Sequence, residues 1–214
     1  MSFTPEVAAA LSGASTGQLA YWRSAQAPEP LLAPEHYEPR TRVSYSFRDV
    51  VALRTFVYLR SRKVPLQRIR KAVASLRRLG QDEHLSAYDM VSSGQDIEWR
   101  LSSGEAVDLT HNPGQQVLAQ MVDILAPFVN MQHEDVVDLR RPKPGVSVDP
   151  EIRGGFPVIE GTRVPYDLVA SLLQDGMAAS SIRELYPSVP EEAARGAADF
   201  ARYVEKFRRP RAVA

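Results

Sequence analysis

The sequence predicts a fold that is mainly α with a small β meander, and three observations carry that expectation. Apolar residues recur at helical spacing near both ends: Val50, Leu53, Val57 and Tyr58; Leu66, Ile69, Val73 and Leu76; Ala194, Ala198, Ala201 and Val204. Between them, short alternating runs are separated by Ser92-Ser93-Gly94 and Ser102-Ser103-Gly104, the pattern of a small antiparallel meander of about three strands. Charge is also segregated. Residues 1–81 carry 13 Lys+Arg against 5 Asp+Glu, residues 82–138 carry 1 against 11, and residues 139–214 carry 12 against 10. Such asymmetry divides the chain into a basic head (1–81), an acidic connecting or dimerising segment of β meander plus helix (82–138), and a small helical module with a basic tail (139–214).

The 214 residues are 44% hydrophobic and 24% charged with zero net charge, which is ordinary globular composition. With no cysteine in the chain, disulfides, zinc fingers, thiolate metal sites and cysteine nucleophiles are excluded. No window reaches the roughly 18 apolar residues of a membrane span. Met1–Gly13 lacks the layout of a secretory signal, so a cytoplasmic location is expected.

In the head, Thr4-Pro5-Glu6 before Val7–Leu11 reads as an N-cap, a proline at the first helical position and an acid in the first turn. Gly13 can end that helix in the left-handed conformation, and Ser15 or Thr16 can cap a second helix through Arg23. Two short helices joined by a Gly-containing turn form a helix-turn-helix, whose second helix offers its N-terminal residues to base edges in the major groove. Thr16, Gly17 and Gln18 fall there, and Gln18 can pair with adenine; Leu19 and Trp22 point to the core. Leu31 to Tyr45, with Arg40 and Arg42, reads as a hairpin or wing, followed by helices over Phe47–Arg62 and Pro65–Leu79. Val50 to Gln81 holds nine cations (Arg54 and Arg70 among them) and no acid, so an external polyanion or the acidic middle segment must offset them.

These elements, in the strings AALSGASTGQLAYWR (Ala9–Arg23), YSFRDVVALR (Tyr45–Arg54) and KVPLQRIRKAVASLRRL (Lys63–Leu79), resemble an N-terminal MerR-type winged helix-turn-helix. The resemblance implies duplex DNA as a partner and a DNA-binding set of Thr16, Gly17, Gln18, Tyr21, Arg23, Arg40, Arg42 and Tyr45. It departs from the family where basic residues of the recognition helix are replaced by Gly17 and Ala20, and where the wing arginine is shifted to Arg40 or Arg42.

In the central α+β segment, Val117, Met121, Ile124 and Leu125 read as a helix after the meander. His111 and His133 lack the paired spacing of metal ligands, so no metal and no other cofactor is expected. The run Arg140-Arg141-Pro142-Lys143-Pro144 reads as a stiff linker. Beyond it, glycines suggest turns around two short extended pieces. Helices are then expected over Tyr166–Asp175, over Ala178–Leu185, and from Ser188 or Pro190 through Val204, a C-terminal helix-turn-helix-like three-helix domain. Gly154-Gly155 lacks the companions of a phosphate loop and reads as a turn.

The string GGFPVIEGTRVPYDLVASLLQDGMAASSIRELYPSVPEEAARGAADFA (Gly154–Ala201) resembles the small helical domain, long of unknown function, found in many VapB-like antitoxins. The two resemblances together imply an antitoxin of a type II module. Such a protein binds and neutralises a PIN-like ribonuclease toxin, binds operator DNA to repress its own operon, and works as a homodimer or a hetero-oligomer with the toxin. Arg208, Arg209 and Arg211 of the tail are candidates to enter the carboxylate pocket of the nuclease. The alternatives are a MerR-like regulator sensing a small molecule through residues 82–134, and an adaptor without DNA. No convergent His/Asp/Glu set or nucleotide loop points to an enzyme.

Overall fold

The computed structural model describes residues 2–24, 30–36, 43–79, 84–87, 89–93, 96–100, 105–110, 116–118 and 124–208. Local signals set the head. Helix α1 (Pro5–Ser12) begins at Thr4, whose hydroxyl accepts from Val7 N, and ends at Gly13 with φ 79. Helix α2 (Thr16–Arg23) starts with a capping box, in which Ser15 Oγ accepts from Gln18 N at 3.1 Å and Ser15 N donates to Gln18 Oε1 at 2.7 Å. Helix α3 (Phe47–Ser61) repeats the device with Ser46 and Asp49, and α4 (Leu66–Arg78) follows. Asp49 is fully buried; it also accepts from Glu35 N and lies 3.1 Å from His84 Nε2, which ties two other stretches of chain to the start of α3. The three alanines of α1 (Ala8, Ala9, Ala10) are fully buried, and Trp22 meets Phe56 edge-on at 5.9 Å in the same core.

The meander has four strands among the described residues: β1 (Asp89–Ser93), β2 (Asp96–Arg100), β3 (Glu105–Asp108) and β4 (Gln116–Leu118), antiparallel in that order. Val117 pairs with Ala106 in β4, where the apolar spacing had predicted the start of a helix. Three residues satisfy either period, and the open edge of β3 offers backbone partners that a lone helical turn cannot match. A short hairpin of β5 (Phe128–Val129) and β6 (Asp135–Val136) comes next.

The C-terminal module pairs β7 (Val146–Ser147) with β8 (Val158–Ile159) and carries α5 (Tyr166–Gln174), α6 (Ile182–Leu185) and α7 (Glu191–Glu205). Arg140–Pro144, read as a linker, is instead docked. Pro142 is buried, and the Pro144 carbonyl approaches α7 so closely that a Cβ on Gly196 would lie 1.8 Å from it. Ala193, Gly196 and Ala197 give α7 the small-residue face that permits this approach.

One aromatic ladder joins the module to the head: Phe3–Phe156 at 6.0 Å, Phe156–Tyr166 at 5.9 Å and Tyr166–Phe200 at 4.7 Å. Three cations of the acid-free run are seen to meet backbone oxygen. Arg54 is fully buried and donates to the carbonyls of Leu11, Ile124, Leu125, Ala126 and Val137. Arg60 reaches Val64 O and Lys71 reaches Thr110 O. The middle segment therefore answers Arg54 and Lys71, but through its carbonyls.

Candidate nucleic-acid interface

The first turn of α2 holds Thr16, Gly17 and Gln18, at the helix end where backbone N–H groups and the helix dipole favour an anion. Gly17 is exposed, while Thr16 and Gln18 are half-buried. Gln18 Oε1 is committed to the capping box, so its second lone pair and the amide nitrogen are what remain for a base. One turn on, Tyr21 is 49% exposed, and the Arg70 guanidinium from α4 lies 5.7 Å from its ring centre.

Arg23 and Tyr45, both expected at DNA, are brought together. Arg23 Nη1 donates to Tyr45 Oη at 2.9 Å, and Tyr45 is only 1% exposed. Burial raises the Tyr45 pKa above its usual value, and the adjacent Arg23 offsets part of that rise. Tyr45 therefore holds Arg23 in place and offers little surface itself. The bridges Phe3–Tyr45 and His36–Ser44 frame the expected wing, whose Arg40 and Arg42 lie outside the described residues. Arg208 is exposed and pairs with Glu205 at 2.9 Å; Arg209 and Arg211 lie outside the described residues, as does His111. His133, the other metal candidate, sits in the hairpin turn with φ 61, its N–H donating to Asn130 O.

The start of α2 is also one wall of a cleft of about 880 Å³. The facing wall is the β5–β6 hairpin with Gln132, Glu134 and Asp135, Lys143 of the docked 140–144 segment, and the end of α7 with Tyr203 and Lys206. Asn130 anchors the hairpin: its Oδ1 accepts from Gln132 N and Glu134 N, and its Nδ2 donates to Gly13 O at 3.2 Å. Nothing in the sequence near Asn130 or Tyr203 announced this, because the partners lie 117 and 193 positions away. Only the turn-forming character of Asn130 was readable locally.

Comparison with known proteins agrees with this geometry. Residues 3–76 match the model of the MerR HTH family regulatory proteins, and residues 146–201 match a protein family of unknown function, DUF433. The chain thus carries a MerR-type DNA-binding regulatory domain at its N-terminus and a DUF433 domain at its C-terminus. A stretch of 78 residues is 38% identical to the uncharacterized protein y4eO of Sinorhizobium fredii. That stretch is 36% of this chain and 35% of the relative, so the match spans about a third of the relative's length. The crystal structure of Rv2018 from Mycobacterium tuberculosis is similar in fold, with TM-score 0.52 at 17% identity over 92% of this chain and 97% of that one. Among the described residues no helix is long and apolar enough to cross a membrane.

Proposed function

We propose that the chain is a repressor of the antitoxin kind, without catalytic activity of its own, acting in the cytoplasm as a homodimer or in a hetero-oligomer with its toxin. Residues 1–81 read operator DNA through Thr16, Gly17, Gln18 and Tyr21, while Arg23, Arg40 and Arg42 contact phosphate and Tyr45 supports Arg23. Residues 139–214 bind and neutralise a PIN-like ribonuclease encoded beside it. The observation that carries the DNA half is the box-capped start of α2, with Gly17 exposed, within the region that matches the MerR-type family. The toxin half rests on the resemblance of Gly154–Ala201 to antitoxin-associated domains, and exposed Leu168 and Leu185 there suit a protein partner. Arg208, Arg209 and Arg211 are the groups assigned to the nuclease's carboxylates.

The test is expression of the full chain with the neighbouring nuclease gene, followed by co-purification and RNA-cleavage assays. Retention and inhibition of the nuclease support the reading; a chain that neither binds nor inhibits it ends the toxin half. A second reading, a regulator answering to a small molecule, is favoured by the cleft of about 880 Å³ beside α2. A ligand that changes DNA affinity with no nuclease present would select it.

A further inference from the structure

Side chains from three distant parts of the chain converge on the end of α1 and the turn that aims α2. Arg54 Nη1 donates to Leu11 O at 2.6 Å, Tyr203 Oη to Ala10 O at 3.3 Å, and Asn130 Nδ2 to Gly13 O at 3.2 Å. The last carbonyls of a helix have no partner within it, so the donors that reach them fix where the chain goes next. Only Arg54 belongs to the matched MerR-type region; Asn130 comes from the β5–β6 hairpin and Tyr203 from α7.

Packing acts at the same point. The methyls of Val136 sit against Gly13 so tightly that a Cβ there would lie 2.4 Å from Val136 Cγ2. Tyr203 Oη also lies 3.4 Å from Asp135 O, so one hydroxyl spans α1 and β6. Its ring is held by Phe200, Phe207 and Lys143. A shift of α7 or of the hairpin cannot leave the turn before α2 undisturbed.

We propose that Asn130 and Tyr203 are positioning residues for DNA recognition. The hairpin and the C-terminal module set the orientation of α2, so sequence preference belongs to the whole chain and not to residues 1–81 alone. This rests on the reading that the start of α2 faces DNA. It also gives a partner seated on α7 a direct mechanical route to the recognition helix.

The test uses the full chain, a duplex enriched by it from a random-sequence library, and a scrambled duplex of equal length and composition. Tyr203→Phe keeps the ring packing and deletes the hydroxyl. Asn130→Asp keeps the acceptor for Gln132 N and Glu134 N but turns the donor that faces both Gly13 O and the Glu134 carboxylate into an acceptor. Met131→Glu adds the same charge to the same hairpin at an exposed side chain outside the cleft and leaves the turn untouched. Tyr203→Phe and Asn130→Asp should each lower the preference for the enriched duplex about three- to tenfold, the span of one hydrogen bond, with scrambled-duplex affinity nearly unchanged. Met131→Glu should keep the preference, and amide exchange over residues 15–18 should quicken in the first two variants only. Preference within about twofold of the parent in Tyr203→Phe overturns the proposal, as does an equal loss on both duplexes, which marks a merely structural role. Should Asn130→Asp fail to fold, Tyr203→Phe decides alone. A parent chain that enriches no duplex refutes the DNA-facing reading of α2 itself, a separate and earlier failure.

Discussion

Replacing Arg54 by Met asks how much the buried guanidinium holds together. Methionine fills much of the same volume and keeps the contact with Phe128, over whose ring the guanidinium now sits at 5.0 Å. It donates nothing, so the carbonyls of Leu11, Ile124, Leu125, Ala126 and Val137 lose a charged donor together. An acceptor left unsatisfied in the interior costs about 1–3 kcal/mol, and water reaching the less buried ones reduces the sum. The arginine's own desolvation cost is recovered on replacement, which trims it further. A net loss of about 4 kcal/mol remains, a large share of the roughly 5–15 kcal/mol typical of a domain. Guanidinium-induced unfolding of the full chain, followed by Trp22 and Trp99 fluorescence, measures it. Arg54→Lys should lose nearly as much, since three donors on one nitrogen cannot span carbonyls gathered from three stretches of chain. A loss under about 1 kcal/mol in Arg54→Met would refute the clamp.

Other consequences are equally open to measurement. Gln18→Ala should reduce preference for the enriched duplex by about 1–3 kcal/mol and leave random-duplex binding nearly intact; an equal loss on both would mean that Gln18 serves only the cap of α2. Gly13→Ala forces a side chain onto φ 79 and into Val136, so the melting temperature should fall by several degrees, equivalent to about 2 kcal/mol; an unchanged melt would show that the hairpin does not press on the turn. Tyr45, Tyr166 and Tyr203 all have pKa values raised above 10.0, chiefly by burial. Above that pH the unfolded chain releases protons the folded one keeps, so stability should fall as pH rises, with tyrosinate absorbance lagging until the chain unfolds. Full tyrosine ionisation by about pH 11 in a chain still folded would contradict the burial.

The head was legible because its signals are local. Thr4-Pro5, Gly13 and Ser15 are caps and stops acting within a turn of themselves, α4 follows the apolar period closely, and α3 is buried nearly all round from its Ser46 cap onward. The C-terminal helices were read for the same reason. Val117 was misread because a short run fits either period until a strand edge decides it. Arg54 was one of nine cations to be offset by a polyanion or by the acidic middle segment, and its burial against carbonyls leaves no residue pattern behind. The docking of Pro144 on Gly196 and of Val136 on Gly13 was equally silent, each needing two elements to be folded before either has a meaning. At the cleft, the capped start of α2 was legible in the sequence, whereas the wall facing it was not.

Binding of the full chain to its enriched duplex across a salt series tests the central claim most directly. Phosphate contacts release counterions, so log affinity should fall linearly with log salt at a slope steeper than about −3, as expected if four or more cations of the head meet the backbone. A slope near zero, or no duplex binding even at low salt, would contradict DNA reading by this head.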